Sequence, residues 1–562
     1  MVADREFVAV DSAADSASAD VAAAVHSALA RAGSRAPKHG RTGRAGSVVA
    51  EPPAYLRRTW FDTFDWRLHK AGLTLQRIDT GRSNAAAGGR LALAATGDLA
   101  IADLVAPVPA VGAEVRGAYP FDAVVPPGPM RTRLEPIVEM RAVSPIVTVR
   151  TVVRTFRVRN DDDKTVARVV VEQAVGERPS GNGCRVSVVA CRGYEEEAGA
   201  TARVVAKVPS LASSEQSMFA QAVAAIGRSP GDYSSKLDIA LTVGMPTTYA
   251  MRRVMRALLD AAERNLPGVL ADTDSEFLHD LRVAIRRGRS TLKVPGAALP
   301  APQADAASAA LKWLGDLTTP TRDLDVYLLG LDDLAAEVAA PGWDIAQLRP
   351  FRNFLVARRA KEQTALARSL RAARAKRAFG AWASAGTGGE SDDVDDAGSA
   401  EPAGPPIELV AKAAVSRAFK RVIKAGIGIT ASSPPTQLHE LRKRCKELRY
   451  TLEIFAALHD PTGQRALIDD LKKLQDCLGE FQDTDVQQHA IRQFAAQMLA
   501  DDASSATTVE AVMAMGRLAD RLGERQLIAR NTFGALFARF AGPLPRAHLA
   551  ALCERAPLQM LL

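Results

Sequence analysis

Two short runs contain most of the residues able to do chemistry. In LHDLRVAIRRGRSTL (278–292), His279, Arg282, Arg286 and Arg289 recur at steps of three and four, and Lys293 continues the series. On a helix these side chains fall within an arc of roughly 80°. LHELRKRCKELRYTL (438–452) repeats the pattern with His439, Arg442, Lys446 and Arg449. Like charges at such spacing repel by a few tenths of a kcal/mol per pair, and a helix built only for stability would alternate signs. A single stripe reads as a solvated face or as one arm of salt bridges to a neighbouring helix. Two stripes at matched positions point to a shared anionic ligand. Arginine presents a planar fork that suits phosphate, and lysine a compact charge. A histidine heading each stripe can donate to an anion, which would raise its pKa.

The match extends further along the chain. LKWLGDLTTPTRDLDV (311–326) aligns with LKKLQDCLGEFQDTDV (471–486), and both pairs of segments share one offset of 160 residues. Lys312 and Lys472 lie on this second block, and Arg287 and Lys443 flank the stripes; all four extend the candidate set. The acids of RDLD (322–325) and QDTD (482–485) read as helix N-caps or counter-charges. Two Asp at i,i+2 do not share a helix face, which disfavours them as metal ligands. Leu278, Leu281, Ile285 and Leu292, matched by Leu438, Leu441, Cys445 and Leu452, form an apolar face beside each stripe. Pro295 and Gly296 are expected to end the first helix early.

These helices belong to a region of helical periodicity from 245 onward. A Gly-rich acidic linker (383–406) divides it into a first repeat (245–382) and a second (407–562). The expected architecture is two helical bundles about a pseudo-twofold axis. Residues 51–240 read differently, as short alternating runs such as IVTVRTVVRTFRV (146–158) and TVARVVVEQA (165–174), separated by turn clusters. That is the pattern of an antiparallel sheet or barrel. Residues 1–50, with RAGSRAPKHGRTGR at 31–44, read as a flexible basic tail that could contain an amphipathic helix near 17–31. The chain is thus α+β and multidomain.

Composition narrows the partners. The net charge of +8 over 562 residues favours an anion without choosing one. Aromatics make up only 5%, too few for a protein that stacks single-stranded bases, so nucleic acid is disfavoured, with duplex backbone binding left open. The five cysteines form no CxxC pair, so neither a disulfide framework nor a zinc site is expected. The acidic start MVADREFVAV is unlike a signal peptide, and no long apolar run spans a bilayer. A cytoplasmic protein without membrane contact is expected.

The paired His-headed stripes, each followed by a DxDV segment, resemble the CHAD family (conserved histidine α-helical domain) over about 245–562. The resemblance implies two four-helix bundles, a basic groove or pore for inorganic polyphosphate, and association with polyphosphate granules and granule proteins. It would cast His279, Arg282, Arg286, Arg287, Arg289, Lys293, Lys312, His439, Arg442, Lys443, Lys446, Arg449 and Lys472 as polyphosphate ligands. YLRRTWFDTFDWRLHKAGLTLQRI (55–78) is similar to the early strands of the CYTH superfamily, through Phe61, Asp62, Thr63, Leu68, Gly72, Leu75 and Arg77. That family implies an eight-stranded tunnel hydrolysing triphosphates with a carboxylate-held Mg²⁺ or Mn²⁺. Here the opening ExExK strand is missing, and Arg185 and Ser187 stand at acid positions. A degenerate tunnel without catalysis or cofactor is expected, with a metal-dependent triphosphatase as the alternative. Glu135, Glu139 and Glu172 are the remaining acids, and Arg141, Arg150 and Arg154 could still meet anions.

Overall fold

The computed structural model describes residues 6–9, 17–34, 47–81, 89–95, 104–107, 121–175, 184–214, 216–235, 239–294, 299–338, 344–387, 404–502 and 505–554. They form two compact units, Met1–Ser234 and Ser235–Leu562.

The first unit is one antiparallel sheet of ten strands: β1 (Glu6–Ala9), β2 (Val48–Ala50), β3 (Ala54–Thr63), β4 (Leu73–Thr80), β5 (Arg90–Ala95), β6 (Leu104–Pro107), β7 (Val143–Arg159), β8 (Thr165–Ala174), β9 (Arg185–Ala190) and β10 (Leu211–Ser213). Their order is β10-β1-β9-β8-β7-β3-β4-β5-β6, with β2 also on β7. The sheet curls into a half-barrel, in keeping with the antiparallel tunnel or barrel expected, and among the described residues β10 and β6 are its two ends. Alternation in β8 and β9 puts Val169, Val171, Val186 and Val188 on one face. Helices α1 (Ala17–Ser34) and α5 (Glu195–Val205) cover that face with Val21, Val25, Leu29 and Val205. Residues 6–9 were expected in a flexible tail, yet they are a strand, while the amphipathic helix expected near 17–31 forms over 17–34 and packs on the sheet. Four residues are too few to show a period; β9 and β10 supply the pairing that makes β1 a strand. The rest of the basic stretch, 35–46, lies outside the described residues.

The FDT segment makes a turn. The Asp62 carboxylate accepts the backbone N–H groups of Thr63, Leu68 and His69 at 2.7–3.0 Å. These bonds fold the short helix α2 (Arg67–Lys70) directly after β3.

The second unit is helical: α7 (Thr247–Ala271), α8 (Ser275–Thr291), α9 (Ala301–Glu337), α10 (Arg349–Arg371), α11 (Ala373–Gly386), α12 (Ile407–Ile427), α13 (Pro435–Ile454), α14 (Pro461–Asp501), α15 (Ala506–Phe540) and α16 (Pro543–Glu554). In the first unit α3 (Phe121–Val124) and α4 (Pro129–Val138) cap one end of the sheet, and α6 (Met218–Ala225) packs beside Trp60. The starts of α7 and α12, of α8 and α13, and of α9 and α14 are each 160 residues apart. The duplication therefore holds to the residue over three helices. It fades afterwards, where α10 and α15 differ in length. α8 ends at Thr291, three residues short of its counterpart's end at Ile454. Pro295 and Gly296 lie outside the described residues.

Caps begin several helices. Asp274 accepts from Glu276 and Phe277 at the start of α8, and Asp460 from Gly463 at the start of α14. One core joins the two copies: Leu324, Leu331 and Leu334 of α9 and Phe351 and Leu355 of α10 pack with Ile491, Phe494 and Met498 of α14 and Met515, Leu518 and Leu522 of α15. The copies thus form a single body across their pseudo-twofold.

α12 meets α15 so closely that a Cβ on Gly426 would sit 1.9 Å from the Phe537 ring. Gly426→Ala should lower stability by about 1–3 kcal/mol through overpacking, despite alanine's better helix propensity. Gly534, within α15, has open space around its Cβ direction, and Gly534→Ala should add about 0.5–1 kcal/mol. Urea unfolding of both variants checks the opposite signs.

Candidate polyanion-binding site

The two stripes meet. α8 buries Leu278, Leu281 and Ile285, and α13 buries Leu438, Leu441, Cys445 and Leu448. These faces fix how each helix rolls, and the helices come into contact with their cationic sides adjoining. Arg282, Arg286, Arg442 and Lys446 are all half-buried there and within one another's electrostatic reach. Burial and then Arg442 and Arg286 push the Lys446 ammonium down to about 8. Burial and then Arg286 push the Arg282 guanidinium down to about 10. Such depressed cations are what an anion-binding site looks like before the anion arrives.

Each member is held differently. Arg282 donates from Nη1 to the Gly315 carbonyl and to the hydroxyls of Thr318 and Thr319, at 2.8–3.1 Å. This fastens α8 to α9 and leaves Nε without an acceptor. Arg442 donates to both oxygens of Asp483 at 3.0 and 3.1 Å. Among the described residues, neither Arg286 nor Lys446 has a carboxylate partner. His439 donates from Nδ1 to Gln482 Oε1 at 2.7 Å, which leaves its Nε2 as the remaining ring nitrogen. His279 is half-buried and also engaged.

The rest of the candidate set divides. Arg287 donates to Glu453 at 2.7 Å and to the Ser235 carbonyl at 3.2 Å, and Arg449 donates to the other Glu453 oxygen at 2.8 Å. Glu453 thus clamps one cation from each matched helix, and these two residues brace the site. Lys443 lies 3.6 Å from Glu440, on the exposed side. Arg289 is half-buried, while Lys293, Lys312 and Lys472 are exposed, and none of the four has an ion pair among the described residues.

The acids are not helix N-caps: RDLD lies inside α9 and QDTD inside α14. Three are counter-charges or acceptors instead. Asp325 pairs with Arg359 at 2.8 Å, Asp483 with Arg442, and Asp485 accepts from Gln526 at 3.0 Å. Asp323, the offset mate of Asp483, is pushed up by desolvation and by Asp483 against the pull of Arg282 and Arg322. Two further residues shape this field, Arg322 and Tyr327. Desolvation, then Asp323 and Asp483, push the Tyr327 phenol up to about 12. Neither was singled out in the sequence, because their offset mates are Gln482 and Gln487 and no repeat marks them.

Residues 253–492 match the CHAD domain family. The chain carries a CHAD domain. Among solved structures, the crystal structure of the CHAD domain from the plant Ricinus communis is 22% identical, covers 56% of this chain and 96% of its own, and has a TM-score of 0.43. PptA from Streptomyces chartreusis is 16% identical, covers 52% of this chain and 99% of its own, with a TM-score of 0.39. No curated protein matches the chain. The matched span of the CHAD domain holds both stripes and both DxDV segments. No described helix is long and apolar enough to cross a membrane.

The sheet unit presents a different donor set. Glu172 is buried under Arg58, at 2.8 Å, and accepts from Thr151 at 2.7 Å. Asp79 takes Arg57 and Arg77 at 2.8–3.3 Å. Arg185 sits opposite Glu172 in the strand register, is buried, and bonds Glu6 at 2.6 Å. Glu135 on α4 and Glu139 just beyond it are exposed, and Glu139 pairs with Arg67 at 2.7 Å. Arg141 is fully buried beside Asp65, and Arg150 and Arg154 are engaged within the protein. The buried Asp65, Asp79 and Glu172 are each committed to a guanidinium and Asp62 to backbone N–H groups, and no group of three potential metal ligands occurs among the described residues. This set does not fit a divalent metal.

Asp483 neutralises part of the basic site. Asp483→Asn should free Arg442 and remove one charge that repels a polyanion. Affinity for inorganic polyphosphate should rise about two- to fivefold, the scale of a part-exposed ion pair. Titration calorimetry at fixed salt checks this; weaker binding would show that Asp483 serves to position Arg442.

Proposed function

We propose that the CHAD domain binds inorganic polyphosphate in the groove between α8 and α13, without catalysing a reaction, and that this binding places the protein on polyphosphate granules. One observation carries the reading. Arg282 and Arg286 of the first copy and Arg442 and Lys446 of the second crowd together, with Lys446 held down at about 8. Crowded cations lower their own stability, and a phosphate chain relieves all of them at once. Arg286 and Lys446, without carboxylate partners, are the residues assigned to meet the phosphates first. Arg282 and Arg442 flank them from positions fixed by their bonds to α9 and to Asp483. His279 and His439 stand at the helix starts as further donors. Lys293, Lys312, Lys443 and Lys472 extend the field toward solvent. Tyr327, the aromatic residue in this field, packs its ring on Phe494, so a chain of phosphates without bases fits the cluster better than single-stranded nucleic acid. The arginine-bound carboxylates of the sheet unit give no support to metal-dependent triphosphate hydrolysis.

Replacing Arg286 and Lys446 together with Ala should weaken long-chain polyphosphate binding about 10²-fold or more, at about 1.5–3 kcal/mol for each charge-assisted contact. Unchanged affinity in that variant, with an unchanged melting temperature, would sink the assignment.

Binding should also take up a proton. The bound polyanion raises the Lys446 pKa, so the complex holds more protons than the free protein once the pH passes about 8. Affinity therefore falls as pH rises above that point, and Lys446→Arg, which stays charged, flattens the fall. Calorimetry in two buffers of different ionisation enthalpy measures the uptake directly.

A further inference from the structure

α12 carries a second concentration of positive charge, away from the stripes. Arg417, Lys420, Arg421 and Lys424 surround a shallow concavity of about 480 Å³ whose floor is Ala413 and Ser416. The opposite face of the helix is ordinary core, with Val410, Ala414, Val415 and Val422 buried. Arg421 reaches Glu447 of α13 at 2.8 Å. Among the described residues, Arg417, Lys420 and Lys424 have no carboxylate partner. The fold does not require this charge, as the first copy shows. At the offset of 160, positions 417, 420, 421 and 424 correspond to Ala257, Asp260, Ala261 and Arg264 of α7. There the signs are mixed, and Arg264 lies 3.8 Å from Asp260. The same place in the duplicated fold is thus near-neutral in one copy and uniformly cationic in the other, against the repulsion that neighbouring cations impose.

We propose that this face of α12 is a second phosphate-binding surface, which takes a separate stretch of a polyphosphate chain already held by the central groove. It rests on the reading that the CHAD domain binds polyphosphate. From Arg417 to Lys424 the helix rises about 10 Å, so one phosphate spans only part of the stripe and a linear chain follows it. No aromatic side chain lines the concavity, so there is nothing to stack a base. A chain bound at the groove meets α12 at high effective concentration, and weak contacts there add to the affinity of long chains alone.

The test uses the full chain carrying Arg417→Ala, Lys420→Ala and Lys424→Ala, titrated with long-chain polyphosphate, tripolyphosphate and duplex DNA over a range of salt. Long-chain affinity should fall roughly tenfold, and the dependence of log K on log salt should shrink by about two, while tripolyphosphate binds as before. The charge-preserving variant (Arg417→Lys, Lys420→Arg, Lys424→Arg) should retain long-chain binding. Equal long-chain binding by wild type and the alanine variant overturns the second surface and leaves the groove assignment standing. A matched loss of tripolyphosphate also overturns it, because the helix would then merely support the groove. Loss confined to duplex DNA overturns it in favour of a nucleic-acid face. If wild type holds no polyphosphate of any length, the groove reading itself falls.

Discussion

Repulsion between like charges across the α8–α13 contact governs the helical unit. Lys446 has Arg442, Arg286 and Arg282 in its field, and only Asp483 pulls the other way. Bringing such groups together costs free energy that must come from elsewhere. The apolar sides of the same helices supply part of it, with Leu281, Ile285, Leu441 and Leu448 fully buried. The core shared by α9, α10, α14 and α15 supplies more and fixes the copies against each other. Glu453 adds a local tie, holding Arg287 and Arg449 from opposite helices at hydrogen-bond distance. A site made this way is rigid before ligand arrives, which lowers the ordering cost of binding.

The periodic parts of this arrangement were legible in the sequence. Steps of three and four placed the cations on one helix side, and the constant offset made two helices of them. The apolar residues beside each stripe told which side would be buried. What escaped were relations that no period encodes. Arg287 reads as one more ligand until Glu453 is found beside it, and Glu453 lies 166 residues away. RDLD and QDTD read as helix N-caps or counter-charges, and the counter-charge half holds, because each lies within a long helix where tertiary ion pairs outweigh propensity. β1 was hidden for a related reason: its order comes from the sheet it joins.

The sheet unit commits its buried carboxylates to the fold. The Asp62 turn folds the chain, accepting three backbone N–H groups. The carboxylates elsewhere stay buried, and burial of an ion demands a partner. Arg58, Arg57 and Arg77 provide it for Glu172 and Asp79, and Arg185 recruits Glu6 from the first strand. A metal would have to displace these guanidinium groups, leaving them buried without partners. That cost is absent from a tunnel whose acids face one another around an ion.

Duplication explains why the helical unit tolerates so much uncompensated charge. Matched positions in the two copies need only be complementary in sum. Arg287 and its mate Glu447 illustrate this: the first is tied to Glu453 and the second to Arg421, so the sign change at one position is absorbed by two different neighbours. Asp323 and Asp483 show the converse. They kept their sign and lie in each other's field, and desolvation, with Asp483 adding to it, pushes the Asp323 carboxyl up. A pair of acids there limits how strongly positive the groove becomes. On the proposed function it would set a threshold: a single phosphate would compete with Asp483 for Arg442, whereas a chain that engages Arg286 and Lys446 as well would gain enough contacts to displace it.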